Sequence, residues 1–230
     1  MKCFPTLRIA SLASFLLLLS CSSPEPSAHP DTSTEGWNNL FNADLSNAKD
    51  PKGVWSISDG IITASEDHNI WSPKEYDNFI IDLEFKTAEG TNSGVVVYAS
   101  DIDDWIPNSV EIQIADDYAK QWSEAPATWQ CGAAFGRLEA TERRVKQPGE
   151  WNRYTITAKD NIIDIALNGA LVNRLDMSKW THPTTNPDGS EIPSWLSKPL
   201  ATLPTRGHIG FQGKHAGAPI YFRNIRVKEL

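Results

Sequence analysis

Apolar and polar residues alternate along most of this chain from Val54 onward, and helical spacing is almost absent. Phe79, Ile81, Leu83 and Phe85 interleave with Ile80, Asp82, Glu84 and Lys86, which predicts a strand with one face in a core. Val110, Ile112 and Ile114 alternate in the same way with Glu111, Gln113 and Ala115. Val95-Val96-Val97-Tyr98 reads as a strand buried on both faces, and residues 151–158 and 162–167 as two more. Asp59-Gly60 and Asn168-Gly169 sit between such runs and favour the primed turns that match strand twist. Many short strands, frequent turn signals and no internal repeat predict an all-β jelly-roll sandwich.

Two stretches break the alternation. Residues 176–206 are punctuated by prolines and by Asn186-Pro187-Asp188-Gly189, with room for one short helix. Residues 116–148 are also irregular and carry Trp122, Trp129 and Cys131. Loops of this length in a compact domain are usually functional. The closing segment, 207–228, reads as two strands around a glycine-rich turn. Its glycines would let backbone approach a ligand.

The first residues change the picture of where the domain resides. Lys2 and Arg8 precede a short apolar run that ends at Leu18-Leu19-Ser20-Cys21. That run falls short of the about 20 residues needed to span a bilayer. The pattern resembles a bacterial lipobox, which implies a signal segment over 1–21 with lipid on Cys21, an extracytoplasmic address and membrane contact through the lipid alone. Residues 22–35, rich in Pro, Ser and Thr, read as a tether, and 36–230 as one domain. Of three cysteines only Cys131 then remains in the domain, so no internal disulfide is expected. A formal net charge of −8 argues against nucleic acid as a partner, whereas nine tryptophans suit sugar faces or a core.

Candidate chemistry follows from strand alternation. Glu84 points away from Leu83 and Phe85, and Glu111 and Gln113 share one face of their strand. If both strands belong to one curved sheet, two carboxylates and an amide meet on its concave surface. Paired carboxylates suit acid–base work on a sugar, although polar residues alternate on any half-exposed sheet. Asn92, in an Asn92-Ser93-Gly94 that also reads as a turn, and Gln212 are candidate sugar contacts. His215, between glycines, is accessible for proton transfer. Arg223 is either a charge-stabilising neighbour or a partner for a sheet carboxylate. Trp105, Trp122 and Trp129 are candidate stacking platforms. His-x-His and His-x-x-x-His spacings are absent, so zinc has no strong signal, while scattered Glu, Gln, His and Asp116 leave a divalent cation open. No Gly-x-Ser-x-Gly elbow or phosphate loop occurs.

The order of Trp37-x-x-Leu40-Phe41-Asn42, Trp55-Ser56-Ile57, Asn92-Ser93-Gly94-Val95, Val110-Glu111-Ile112-Gln113, Gly149-Glu150-Trp151-Asn152 and the closing segment resembles the 3-keto-disaccharide hydrolase family. The resemblance covers about 36–230 and implies a concanavalin-like jelly roll acting on disaccharides or glycosides oxidised at sugar carbon 3. It implies proton transfer by Glu111 or His215, with Glu84, Gln113 and Gln212 orienting the sugar and a divalent cation able to hold an enolate. The main alternative is a non-catalytic carbohydrate-binding lipoprotein, since jelly rolls host both.

Overall fold

The computed structural model describes residues 1, 35–49 and 53–230. Cys21, the signal segment beyond Met1 and nearly all of the tether therefore lie outside the described residues.

Two antiparallel sheets face each other. The larger is built from β1 (Trp37–Asn39), β2 (Trp55–Ser58), β3 (Ile61–Ala64), β5 (Phe79–Thr87), β8 (Trp151–Lys159), β9 (Ile162–Leu167), β10 (Ala170–Asp176) and β12 (Ile220–Glu229). Its order is β10-β9-β8-β5-β12-β3-β2, with β1 added to β12. The smaller has the order β4-β11-β6-β7, from β4 (Ile70–Trp71), β6 (Asn92–Ala99), β7 (Val110–Ala115) and β11 (His208–Phe211). The only α-helix among the described residues is the single turn α1 (Lys120–Ser123). The all-β sandwich expected from the alternation is what forms.

The inward faces follow the predicted period. Phe79, Ile81, Leu83 and Phe85 of β5 and Val95, Val97, Ile112 and Ile114 of the smaller sheet are buried in one core. Phe211 and Phe222 meet across the sheets with ring centroids 5.1 Å apart. Burying such rings contributes about 1.5–3 kcal/mol each and fixes how the sheets stack. Both primed turns form: Asp59 and Gly60, like Asn168 and Gly169, all have positive φ.

Three expectations are corrected. The closing segment is not a hairpin, because β11 pairs with β4 and β6 while β12 pairs with β3, β5 and β1 in the other sheet. Local turn chemistry does not reveal that a chain crosses between layers. Asn92-Ser93-Gly94 is not a turn; it opens β6. The stretch 176–206 holds two 3₁₀ turns, Met177–Lys179 and Leu200–Thr202, in place of one helix.

The irregular stretches are tied to the smaller sheet. Backbone bonds join Gln113 to Ala133 (2.9 Å) and Gly132 to Gln113 (3.1 Å), so the first stretch covers the free edge of β7. Arg137, buried, donates to the carbonyls of Leu196 and Lys198 at 2.8 and 2.9 Å, clamping the second stretch to the first. Together they raise a wall over the outer face of the smaller sheet.

Candidate active site

Register places the polar residues of the outer face. On β6 and β7 Gly94 lies opposite Gln113 and Val96 opposite Glu111. Val95 and Ile112 point inward, so Asn92, Gly94, Glu111 and Gln113 point out. Gln113 Nε2 donates to Asn92 Oδ1 at 2.7 Å. Gln113 is buried behind that bond. The Glu111 side chain lies across Gly94, where a Cβ would stand 2.4 Å from Oε1. Burial pushes the Glu111 carboxyl up to about 8, with the negative charge of Asp67 adding to the shift. At neutral pH this residue keeps its proton and is an acid.

The strap after β11 supplies the opposite wall. The Gln212 amide donates to the Gly94 carbonyl at 2.9 Å, and Ser93 Oγ donates to the Gln212 carbonyl at 2.7 Å. The Gln212 backbone is thereby pinned to β6, while its side-chain Oε1 is buried with no protein partner. Further on, His215 forms an isolated backbone bridge with Asn92 and places Nδ1 2.7 Å from Asp67 Oδ2. An ionised carboxylate only accepts, so the neutral imidazole carries its proton on Nδ1 and turns the lone pair of Nε2 away from Asp67.

These groups line a cleft of about 450 Å³, walled by Trp105, Trp122, Trp129 and Trp195. Trp122 is held by its indole N–H on the Gly90 carbonyl at 3.0 Å. Trp129 packs on Phe135 and edge-on to Trp195, with centroids 5.4 and 6.1 Å away. Beneath β7, Tyr154 Oη donates to the Gln113 carbonyl at 2.7 Å and lies 3.3 Å from Cys131 Sγ. Burial pushes the Cys131 thiol up to about 12, so it is a packing group and not a nucleophile.

Asn92, Glu111, Gln113, Trp129, Gln212 and His215 thus meet in one cleft. Glu84 and Arg223 do not. Both belong to the larger sheet, on its outer face, where Arg223 grips Glu84 through Nε and Nη2 at 3.0 and 3.1 Å. Alternation assigned Glu84 to the correct face of its own strand, but that strand is in the other sheet. Arg223 is the carboxylate partner, not a charge stabiliser of the cleft. Two glycines of the closing segment serve the protein and not a ligand: a Cβ on Gly210, in β11, would strike the Trp71 ring at 2.3 Å, and one on Gly213 would strike the His68 carbonyl at 2.5 Å. Asp67 and Trp195 were missed by the sequence reading. The only signal for Asp67 is the polar run Glu66-Asp67-His68-Asn69 between two strands.

The 3-keto-alpha-glucoside-1,2-lyase-like domain model matches residues 33–228. The chain belongs to this family. A solved, provisionally named glycosyl hydrolase from Parabacteroides distasonis ATCC 8503 is 53% identical, with a TM-score of 0.82 over 84% of this chain and 99% of that one. A second from the same organism is 25% identical with a TM-score of 0.70, over 85% and 94%. Curated proteins give no match. Family and relatives together support carbohydrate processing.

A cation is a separate question for this lyase-like domain. Among the described residues no three His, Cys, Asp or Glu side chains gather where they could hold a metal ion. Glu111 is the one carboxyl group lining the cleft, and Asp67 beside it already accepts from His215, so the described residues gather no set of acidic donors for a resident divalent cation. Asp116 is spent on the backbone, accepting from Gly90 and Tyr118.

Proposed function

We propose that this protein cleaves 3-keto-glycosides by eliminating the substituent on carbon 1 and then hydrating the product. The observation that carries the reading is the meeting, in one aromatic-walled cleft, of Glu111, whose carboxyl burial pushes toward the protonated form, with a His215 oriented by Asp67. A ketone at carbon 3 acidifies the hydrogen on carbon 2. His215 Nε2 takes that proton, the electron pair forms the C1=C2 bond, and the C1–O bond breaks as Glu111 protonates the departing oxygen. The second Nε2 hydrogen of Gln113, not used on Asn92, is available to the enolate oxygen. Water then adds across the double bond. Glu111, now ionised, takes a proton from the water as it attacks carbon 1, and His215 returns its proton to carbon 2, which resets both groups. The family match supports the substrate class, and Trp129 with Trp195 offers a stacking face for the ring.

The Leu18-Leu19-Ser20-Cys21 pattern supports a further part of the proposal, that Cys21 is lipidated and the domain works outside the cytoplasm on a tether. Incubating the purified protein with a 3-keto-disaccharide tests the reaction by release of the free 3-keto sugar. Glu111→Gln should lose about 10²–10⁴-fold in rate. No release by the parent protein, or full rate in Glu111→Gln, rejects the assignment; saturable sugar binding without release would mark a carbohydrate-binding module.

A further inference from the structure

Beside the cleft lies a second chamber of about 390 Å³. Trp105, Ile106, Gln212 and His215 border both spaces, so the two are halves of one groove with His215 at the seam. The floor of the second half is a small apolar cluster on the outer sheet face, where Trp71 and Trp105 meet edge to face at 6.2 Å. Two amide groups on its walls are unusual. Gln212 is 7% exposed, and its buried Oε1 has no partner. Asn69 Nδ2 is likewise buried and has no partner. One is an acceptor and the other a donor, and leaving either unpaired in a native fold costs about 1–3 kcal/mol. Both atoms are covered where they stand, so a small rotation of each amide would present them to a hydroxyl, which both donates and accepts. The charges on these walls are Asp67 and Asp103, with His68 and His215 the only groups that could become positive. Asp103 pairs with no Lys or Arg among the described residues.

We infer that this second chamber is the leaving-group subsite, and that Asn69, Gln212 and Asp103 select a neutral, hydroxyl-rich leaving group over an anionic one. The inference rests on the proposed reaction for the name of the subsite. The bond that breaks joins the oxidised ring to its substituent, and His215 acts at the seam. A ring seated against Glu111 and Gln113 therefore projects its carbon-1 substituent past His215 into the second chamber. There Trp105 offers a flat apolar side and the two amides meet hydroxyls. A carboxylate or phosphate on the leaving group would face Asp103 and Asp67 with no cation to answer them.

Two measurements test this. Calorimetry with an unoxidised glucose disaccharide and with methyl glucoside reads the chamber without any turnover. Asn69→Ala should weaken the disaccharide about five- to tenfold and leave methyl glucoside unchanged, as expected for one lost hydrogen bond. Equal affinity of the parent protein for both sugars, or equal loss on both in Asn69→Ala, overturns the subsite. Turnover of 3-keto-glucosides bearing glucose or glucuronate as leaving group reads the charge selection. The parent should prefer the neutral one by about tenfold in kcat/KM, and Asp103→Asn should narrow that gap. No preference, or a gap that Asp103→Asn leaves intact, overturns the selection. If neither substrate turns over, the reaction and its charge selection fall together, and calorimetry still decides whether a second sugar binds there.

Discussion

Gly94 makes room for Glu111: a Cβ on Gly94 would stand 2.4 Å from Oε1 and 2.8 Å from Cγ of the carboxylic acid lying over it. Gly94 does not adopt positive φ, so its backbone tolerates alanine, and the group that must yield is the end of a flexible side chain. Gly94→Ala should therefore fold and yet move the acid away from the bond it protonates. The expected loss in kcat is about 10²-fold, comparable to removing a general acid. Combining Gly94→Ala with Glu111→Gln should lose no more than Glu111→Gln alone, because both act through one group. Steady-state kinetics on the four proteins of that cycle checks it, and fully additive losses would count against the mechanism.

The raised pKa of Glu111 has two pH signatures. As the proton donor it must be protonated, so kcat/KM should fall on the alkaline side of about pH 8. Stability follows the same proton. The folded state holds it up to about pH 8, whereas the unfolded chain releases it near the ordinary value of 4.5. The native state thus binds more protons in that window, and this residue's contribution to stability is lost as pH rises through it. Glu111→Gln, with no proton to lose, should match the parent near about pH 4 and melt higher near about pH 8.5, each kcal/mol being worth about 2–4 °C in Tm. Differential scanning at the two pH values decides it.

Alternation carried the reading of β7 a long way, because a period of two leaves Glu111 and Gln113 only one face once Val110, Ile112 and Ile114 are in the core. The same logic could not say which sheet a strand joins. Glu84 and Glu111 both face outward, but from opposite sides of the sandwich, and strand pairing across more than a hundred residues is not written in local pattern. The glycine-rich setting points to Gln212 and His215, although two of its glycines, Gly210 and Gly213, relieve contacts with Trp71 and His68. Asp67 left almost no trace, since its role depends on a partner 148 positions away.

The corrected position of Glu84 gives a contrasting expectation. Burial alone would raise its carboxyl, but hydrogen bonds from Arg223 and Asn224 outweigh that and hold it below the usual carboxylate value. Arg223 also stacks on Trp151 at 4.0 Å, so the group belongs to a surface network that covers the larger sheet. Arg223→Ala should cost about 0.5–1 kcal/mol of stability, a small value because both side chains are partly solvated. The Glu84 contribution is present above its unfolded value and lost as pH falls, so the ion-pair part of the cost should vanish in acid and the Trp151 part remain. Turnover should stay within about twofold of the parent, in the range of surface substitutions remote from chemistry. A hundredfold loss of kcat would return Arg223 to the catalytic cleft.

Asp67 links the two proton-transfer groups. It fixes His215 through Nδ1, and its charge helps to keep the proton on Glu111. Asp67→Asn should lower kcat by about 10–10²-fold through a misoriented or wrongly protonated imidazole. A purely structural role would do no more than that. The positioning role predicts one additional effect: without the negative charge, ionised Glu111 is easier to form, so the alkaline limb of the rate profile should move to lower pH. Asp67→Glu restores the charge and should return the limb toward its original position even if kcat recovers only in part. A profile that loses amplitude in Asp67→Asn without any shift of its alkaline limb would separate Asp67 from Glu111 and leave it as a support for the loop alone.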